Sequence, residues 1–123
     1  MKLVLMIGAG GFIGSASRYL LSLFIQNKFL SIFPLGTFTV NIIGCFFIGI
    51  IYALSARGHV GIEWRLFLAT GILGGFTTFS SFSNETVSML HDARYGYAAL
   101  YVSASVILGL LATFCGIFLI KLF

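Results

Sequence analysis

Acidic residues are almost missing from this chain, which has three Asp and Glu in 123 residues. Only Glu85 falls inside an apolar run, so general acid–base work by paired carboxylates has nothing to draw on. Cysteine is as scarce: Cys45 and Cys115 sit in apolar stretches without CxxC spacing or a nearby histidine, which argues against both zinc and a structural disulfide. His59 and His91 lie in short polar breaks and read as solvated side chains. Proline occurs once, at Pro34, and charged residues make up only 8% of the chain. Neither an enzyme nor a nucleic-acid-binding protein is expected from such a composition.

Apolar residues are abundant, at 59% with a mean hydropathy of +1.10, which places the chain among integral membrane proteins. A helix needs roughly 20 apolar residues to span a bilayer. The apolar runs give spans at about 3–25, 36–56, 64–90 and 96–122, in one domain covering 1–123. The expectation is an all-α fold of four transmembrane helices with nothing left over for a soluble domain. The first run is too long for a signal peptide, carries Arg18 and lacks a small-residue cleavage site.

Four spans place both termini on one side. Lys2, Arg57, Arg65 and Lys121 then lie on the terminal side, and Arg18, Lys28 and Arg94 on the other, which is a weak positive-inside bias. So small a bias permits insertion in both orientations and hence an antiparallel pair of identical subunits. A fixed orientation set by one or two terminal charges fits the same count. The net charge of +4 suits contact with anionic lipid headgroups.

Small residues recur where helices can approach closely. Gly10-xxx-Gly14 and Gly71-xxx-Gly75 have the close-packing spacing, with Gly8, Gly11, Gly44 and Gly49 as further contact points. Gly74-Gly75 stand apart, because they adjoin each other in mid-span and weaken a helix by roughly 1 kcal/mol each relative to alanine. A helix break is expected there. It would free carbonyls suited to a small hard cation and N–H groups suited to an anion. A kink healed by Thr77 and Thr78 hydroxyls bonding back to the backbone is the alternative.

Beyond that point the third run turns polar and aromatic: Phe79, Ser80, Ser81, Phe82, Ser83 and then Glu85. Phe79 and Phe82 share a helix face, and Glu85 follows on the same side. Ring edges carry partial positive charge and hydroxyls donate hydrogen bonds, so this stretch can meet an anion. Most of the 14 phenylalanines in the chain need no such role, since lipid contact accounts for them. Asn41 brings two N–H donors roughly 8 Å into the second span. It would serve either an ion or a neighbouring helix. Tyr101 and Ser105 lie one turn apart on the fourth span, while Ser103 and Thr113 point elsewhere. Arg18, near the end of the first span, would either attract anions to a vestibule or anchor its helix by snorkelling.

These stretches together resemble the fluoride channel family known as Fluc or CrcB. The resemblance covers the whole length through Gly10-Gly11-Phe12-Ile13-Gly14 with Arg18-Tyr19, then Gly36-Thr37-Phe38-Thr39-Val40-Asn41-Ile42-Ile43-Gly44, and most specifically Gly74 to Ser83. It implies a dual-topology homodimer with two antiparallel pores. It also implies that Asn41, Phe79, Ser80, Ser81, Phe82, Tyr101 and Ser105 line the fluoride pore, and that Gly75 and Thr78 carbonyls hold a structural sodium ion on the two-fold axis. Passive fluoride export across the cell (inner) membrane would be the function, with fluoride, lipid and a second copy as partners. Arg18 and Glu85 are expected at the vestibule or the subunit interface rather than in proton transfer. Two positions depart from the family pattern: Ser81 replaces a threonine but keeps the hydroxyl, and Gly109 stands where some relatives carry a further hydroxyl. A proton-coupled exporter of the small four-helix type is the rival, although the first span lacks the acid such a pump needs. A membrane scaffold without transport would leave the polar, aromatic stretch without purpose.

Overall fold

The computed structural model describes residues 1–123 and is entirely helical apart from short turns. Its elements are α1 (Lys2–Lys28), α2 (Leu35–Ala56), α3 (Ile62–Arg65), a π-helical segment (Leu66–Leu73), α4 (Gly74–Phe76), α5 (Phe79–His91) and α6 (Tyr95–Lys121). Residues 62–91 act as one interrupted span, so four helical units are long and apolar enough to cross a membrane. Pro34 stands at the N-cap of α2, where its missing N–H is no loss.

Two pairings hold the bundle: α2 against α6, and α1 against the π segment and α4. Glycine makes both possible. A Cβ on Gly14 would overlap the Ile72 carbonyl, and one on Gly75 would come within 2.5 Å of the Gly11 carbonyl oxygen. Between α2 and α6, Gly49 meets the Thr113 carbonyl and Gly116 the Phe46 carbonyl in the same close manner. Close backbone approach is what packs helices in lipid, where no hydrophobic force drives them together. Gly8, by contrast, has nothing within 4 Å of its would-be Cβ, so it takes no part in packing within the subunit.

Only 17 of the 123 residues are buried, so most of the apolar surface must face lipid or another chain. The chain is a multi-pass membrane protein. At its terminal end Lys2 and Glu63 form a surface ion pair at 2.9 Å that ties the start of α1 to the third span. Such exposed pairs contribute about 0–1 kcal/mol.

Candidate functional site

The third span does break, but not at its paired glycines. Gly74 and Gly75 are helical, and the extended residues are Thr77 (φ −84, ψ 157) and Thr78 (φ −148, ψ 116). Packing explains the shift. With Gly75 pressed against the Gly11 backbone, contact with α1 holds the glycines in the helix and offsets their poor propensity.

Side chains and one backbone bond meet several of the groups freed by the break. Thr77 turns both its N–H and its hydroxyl back to the Leu73 carbonyl, at 2.9 and 3.0 Å. Thr78 becomes the N-cap of α5, its hydroxyl oxygen accepting from the Ser81 N–H at 3.2 Å. The Thr78 hydroxyl also lies 3.2 Å from Ser80 Oγ and donates to Ser81 Oγ at 3.1 Å. Arg18 reaches across from α1 to donate to the Thr77 carbonyl at 3.4 Å. Asn41 on α2 donates through Nδ2 to the Thr78 carbonyl at 3.1 Å and accepts the Thr78 N–H at 2.8 Å. The sequence allows either a healed kink or an open break. The molecule combines a true break with side chains that close it.

A cleft of about 380 Å³ lies against this break. Asn41, Cys45, Thr77, Thr78, Phe79, Phe82 and Ser105 are among the residues that line it. The Phe79 and Phe82 ring centroids are 5.5 Å apart, and Phe79 remains 78% exposed, so its ring is free to meet something beyond this subunit. Ser105 Oγ is buried with no hydrogen-bond partner. An orphaned buried hydroxyl is a donor awaiting an acceptor.

Glu85 lies deeper, gathered into a cluster of three helices. Its Oε1 accepts from the Thr37 hydroxyl of α2 at 2.6 Å and its Oε2 from the Tyr101 hydroxyl of α6 at 2.7 Å. Tyr101 is fully buried, and its ring packs tilted against Phe82 with centroids 5.1 Å apart and edge-on against Phe33 at 5.2 Å. An aromatic chain thus runs from exposed Phe79 through Phe82 and Tyr101 to Phe33.

Among the residues singled out from sequence, Asn41, Phe79, Phe82 and Ser105 come together around the cleft, and Thr78 with them. Ser80 and Ser81 stand beside it at the start of α5, hydrogen-bonded to Thr78. Tyr101 presents its ring to Phe82 while its hydroxyl is engaged by Glu85. Thr37 was missed. It stands four residues before Asn41, hence on the same helix face, and that spacing was the signal available. Cys45, which reads from the sequence as a thiol in an apolar helix, lines the cleft. Thr113 does point away from the cleft, and its hydroxyl ties α6 to the Cys45 carbonyl of α2 at 3.0 Å.

Fold and site define a membrane protein of four spans with a broken helix and a polar, aromatic-lined cleft at the break. The family model described as CrcB-like protein, Camphor Resistance (CrcB), matches residues 5–117, and the chain belongs to that family. It is 45% identical over 119 residues to a protein of Phocaeicola vulgatus named fluoride-specific ion channel FluC, covering 97% of this chain and 98% of that one. A protein of the same name from Chlorobium phaeobacteroides is 49% identical, with coverage of 96% and 92%. The Helicobacter acinonychis protein of that name is 45% identical, with coverage of 100% and 99%. These relatives are named as channels, not enzymes.

Proposed function

We propose that two antiparallel copies of this chain form a fluoride-selective channel, which lets fluoride leave the cell passively across the cell (inner) membrane. The observation that carries the reading is the cleft at the break, where exposed Phe79, Phe82, Asn41 and the orphaned Ser105 hydroxyl converge. Ring edges and hydroxyl and amide N–H groups all present positive ends to an anion. A small ion with a costly hydration shell gains most from close, strong donors, which favours fluoride over chloride. Phe79 is too exposed for a finished pore wall within one subunit, and a second copy would complete it. The relatives' names support the same ion, and the proton-coupled alternative draws no support from them.

A structural sodium ion between the two copies fits the donors available. No cluster of His, Cys, Asp and Glu could hold a metal, so a cation would depend on backbone and hydroxyl oxygens, the hard ligands that sodium prefers. The Thr78 carbonyl accepts one hydrogen bond from Asn41 and keeps a second lone pair. The Gly75 carbonyl receives none of the hydrogen bonds that run outside the helices. Gly75 and Thr78 of both copies would hold the ion and fix the two broken spans against each other. Arg18, already at the Thr77 carbonyl, would stand at the edge of that interface, and Glu85 would hold the aromatic wall in place.

Purified protein in liposomes tests the proposal. Fluoride efflux without chloride efflux, and without a proton gradient, is the expected result. Well-folded protein that passes no fluoride would overturn it.

A further inference from the structure

On α6, Gly109 follows Ser105 by one turn, is buried, and offers no side chain to the neighbouring helix. The space in front of it is not empty. Cys45 of α2 points into it, with Sγ 3.4 Å from where a Gly109 Cβ would stand. Cys45 and Ser105 both line the cleft at the break, and Ser105 Oγ is buried there without a partner. The thiol is therefore placed one helical turn beyond an unsatisfied hydroxyl, along the same wall, but from the opposite helix. Its backbone is fixed as well, because the Thr113 hydroxyl bridges the Cys45 carbonyl at 3.0 Å and the Gly109 carbonyl at 3.1 Å.

We propose that Cys45 lines the ion path, its S–H continuing from α2 the row of donors that Ser105 begins and Gly109 cannot extend. A thiol is a weak donor, but it is neutral and polarisable, so it can touch a passing anion without trapping it. Gly109 makes room for the sulfur, and the two positions act as a pair. The second cysteine, Cys115, is exposed on the outer face of α6 and lies outside the cleft. This inference rests on the channel reading above.

The test uses full-length protein carrying Cys115→Ala, so that Cys45 is the one remaining thiol. A small water-soluble, positively charged methanethiosulfonate reagent should add one adduct by intact mass and remove most of the fluoride efflux from liposomes. Without modification, Cys45→Ala should slow efflux by about two- to tenfold, the scale of one lost hydrogen bond. Cys45→Ser should retain it, and Cys45→Ala combined with Gly109→Ser should restore it by returning the donor from α6. A thiol that stays unmodified in folded protein would overturn the proposal, as would Cys45→Ala efflux equal to that of the parent. Parent protein without fluoride efflux would sink the channel reading instead, while the labelling result would still report whether Cys45 faces water.

Discussion

Asn41 and Thr78 are joined twice across the break in the third span: Nδ2 donates to the Thr78 carbonyl at 3.1 Å, and the Thr78 N–H donates to Oδ1 at 2.8 Å. One amide side chain thus does for Thr78 what a continuous helix would have done, meeting its donor and its acceptor together. At membrane depth there is no bulk water to replace it.

Asn41→Leu tests this directly, since it keeps the size of the side chain but removes both the donor facing the Thr78 carbonyl and the acceptor for the Thr78 N–H. Leaving a buried backbone group unpaired costs about 1–3 kcal/mol. Unfolding in detergent should shift by that amount, and fluoride efflux should fall with it. An unaltered unfolding transition would show that the break does not depend on this amide.

The Phe79–Phe82 pair gives a different kind of prediction, because both rings line the cleft, Phe82 while also packing against Tyr101 of α6. Phe82→Ile keeps an apolar side chain against Tyr101 but removes the ring edge. Fluoride efflux should drop by more than tenfold while gel filtration still shows the same oligomer. Unchanged efflux would remove Phe82 from the permeation path.

Those two positions show how far the sequence could be read. Four apolar runs with hydroxyls and aromatics set inside the third were plain in the pattern, since both signals are local. The place of the break was not. Gly74-Gly75 has the weaker helix propensity, yet contact with Gly11 of α1 holds it helical, and the chain opens at Thr77-Thr78 where side chains from α1 and α2 can close it. Propensity is a property of a segment, whereas Arg18 and Asn41 reach the break only once the helices have packed. The partners of Glu85 were hidden for the same reason, because Thr37 and Tyr101 are 48 and 16 residues away in sequence.

The Glu85 cluster can be dissected by a double-mutant cycle. Thr37→Val and Tyr101→Phe each delete one hydroxyl with little change of shape, and each leaves a carboxyl oxygen without its donor. Single variants should lose about 1–3 kcal/mol of stability. The double variant should fall short of the sum, since both donors serve one carboxyl group. Strict additivity would mean that the two bonds stabilise the fold independently.

Glycine contacts separate packing from mere small size. Gly14→Ala places a methyl group on the Ile72 carbonyl, which is backbone and cannot rotate away, so the α1 contact with the π segment must open. Overpacking of this kind costs about 1–3 kcal/mol, and the yield of monodisperse protein should fall. Gly8→Ala meets nothing within the subunit, and alanine should favour the helix by about 1 kcal/mol. If Gly8→Ala leaves the fold intact but lowers cross-linking between copies, then that stretch of α1 faces a second copy.

Orientation in the membrane follows from the basic residues flanking the spans. Lys2, Arg57, Arg65 and Lys121 lie at the end with the termini, and Lys28 and Arg94 at the other, with Arg18 in the second half of α1. With so even a distribution, reporters fused to the C-terminus should be active on both sides of the membrane. Gln26→Lys and Asn27→Lys beside Lys28, combined with Arg57→Gln and Lys121→Gln at the end with the termini, leave Lys2 and Arg65 there against Arg18, Lys28, Arg94 and the two new lysines, and should drive the end away from the termini to the cytoplasmic side. Every copy would then insert the same way. An antiparallel pair could no longer form from this variant alone, so efflux should be lost, and co-expression with a copy biased the other way should bring it back. Full efflux from a population proven to have one orientation would rule out the antiparallel dimer.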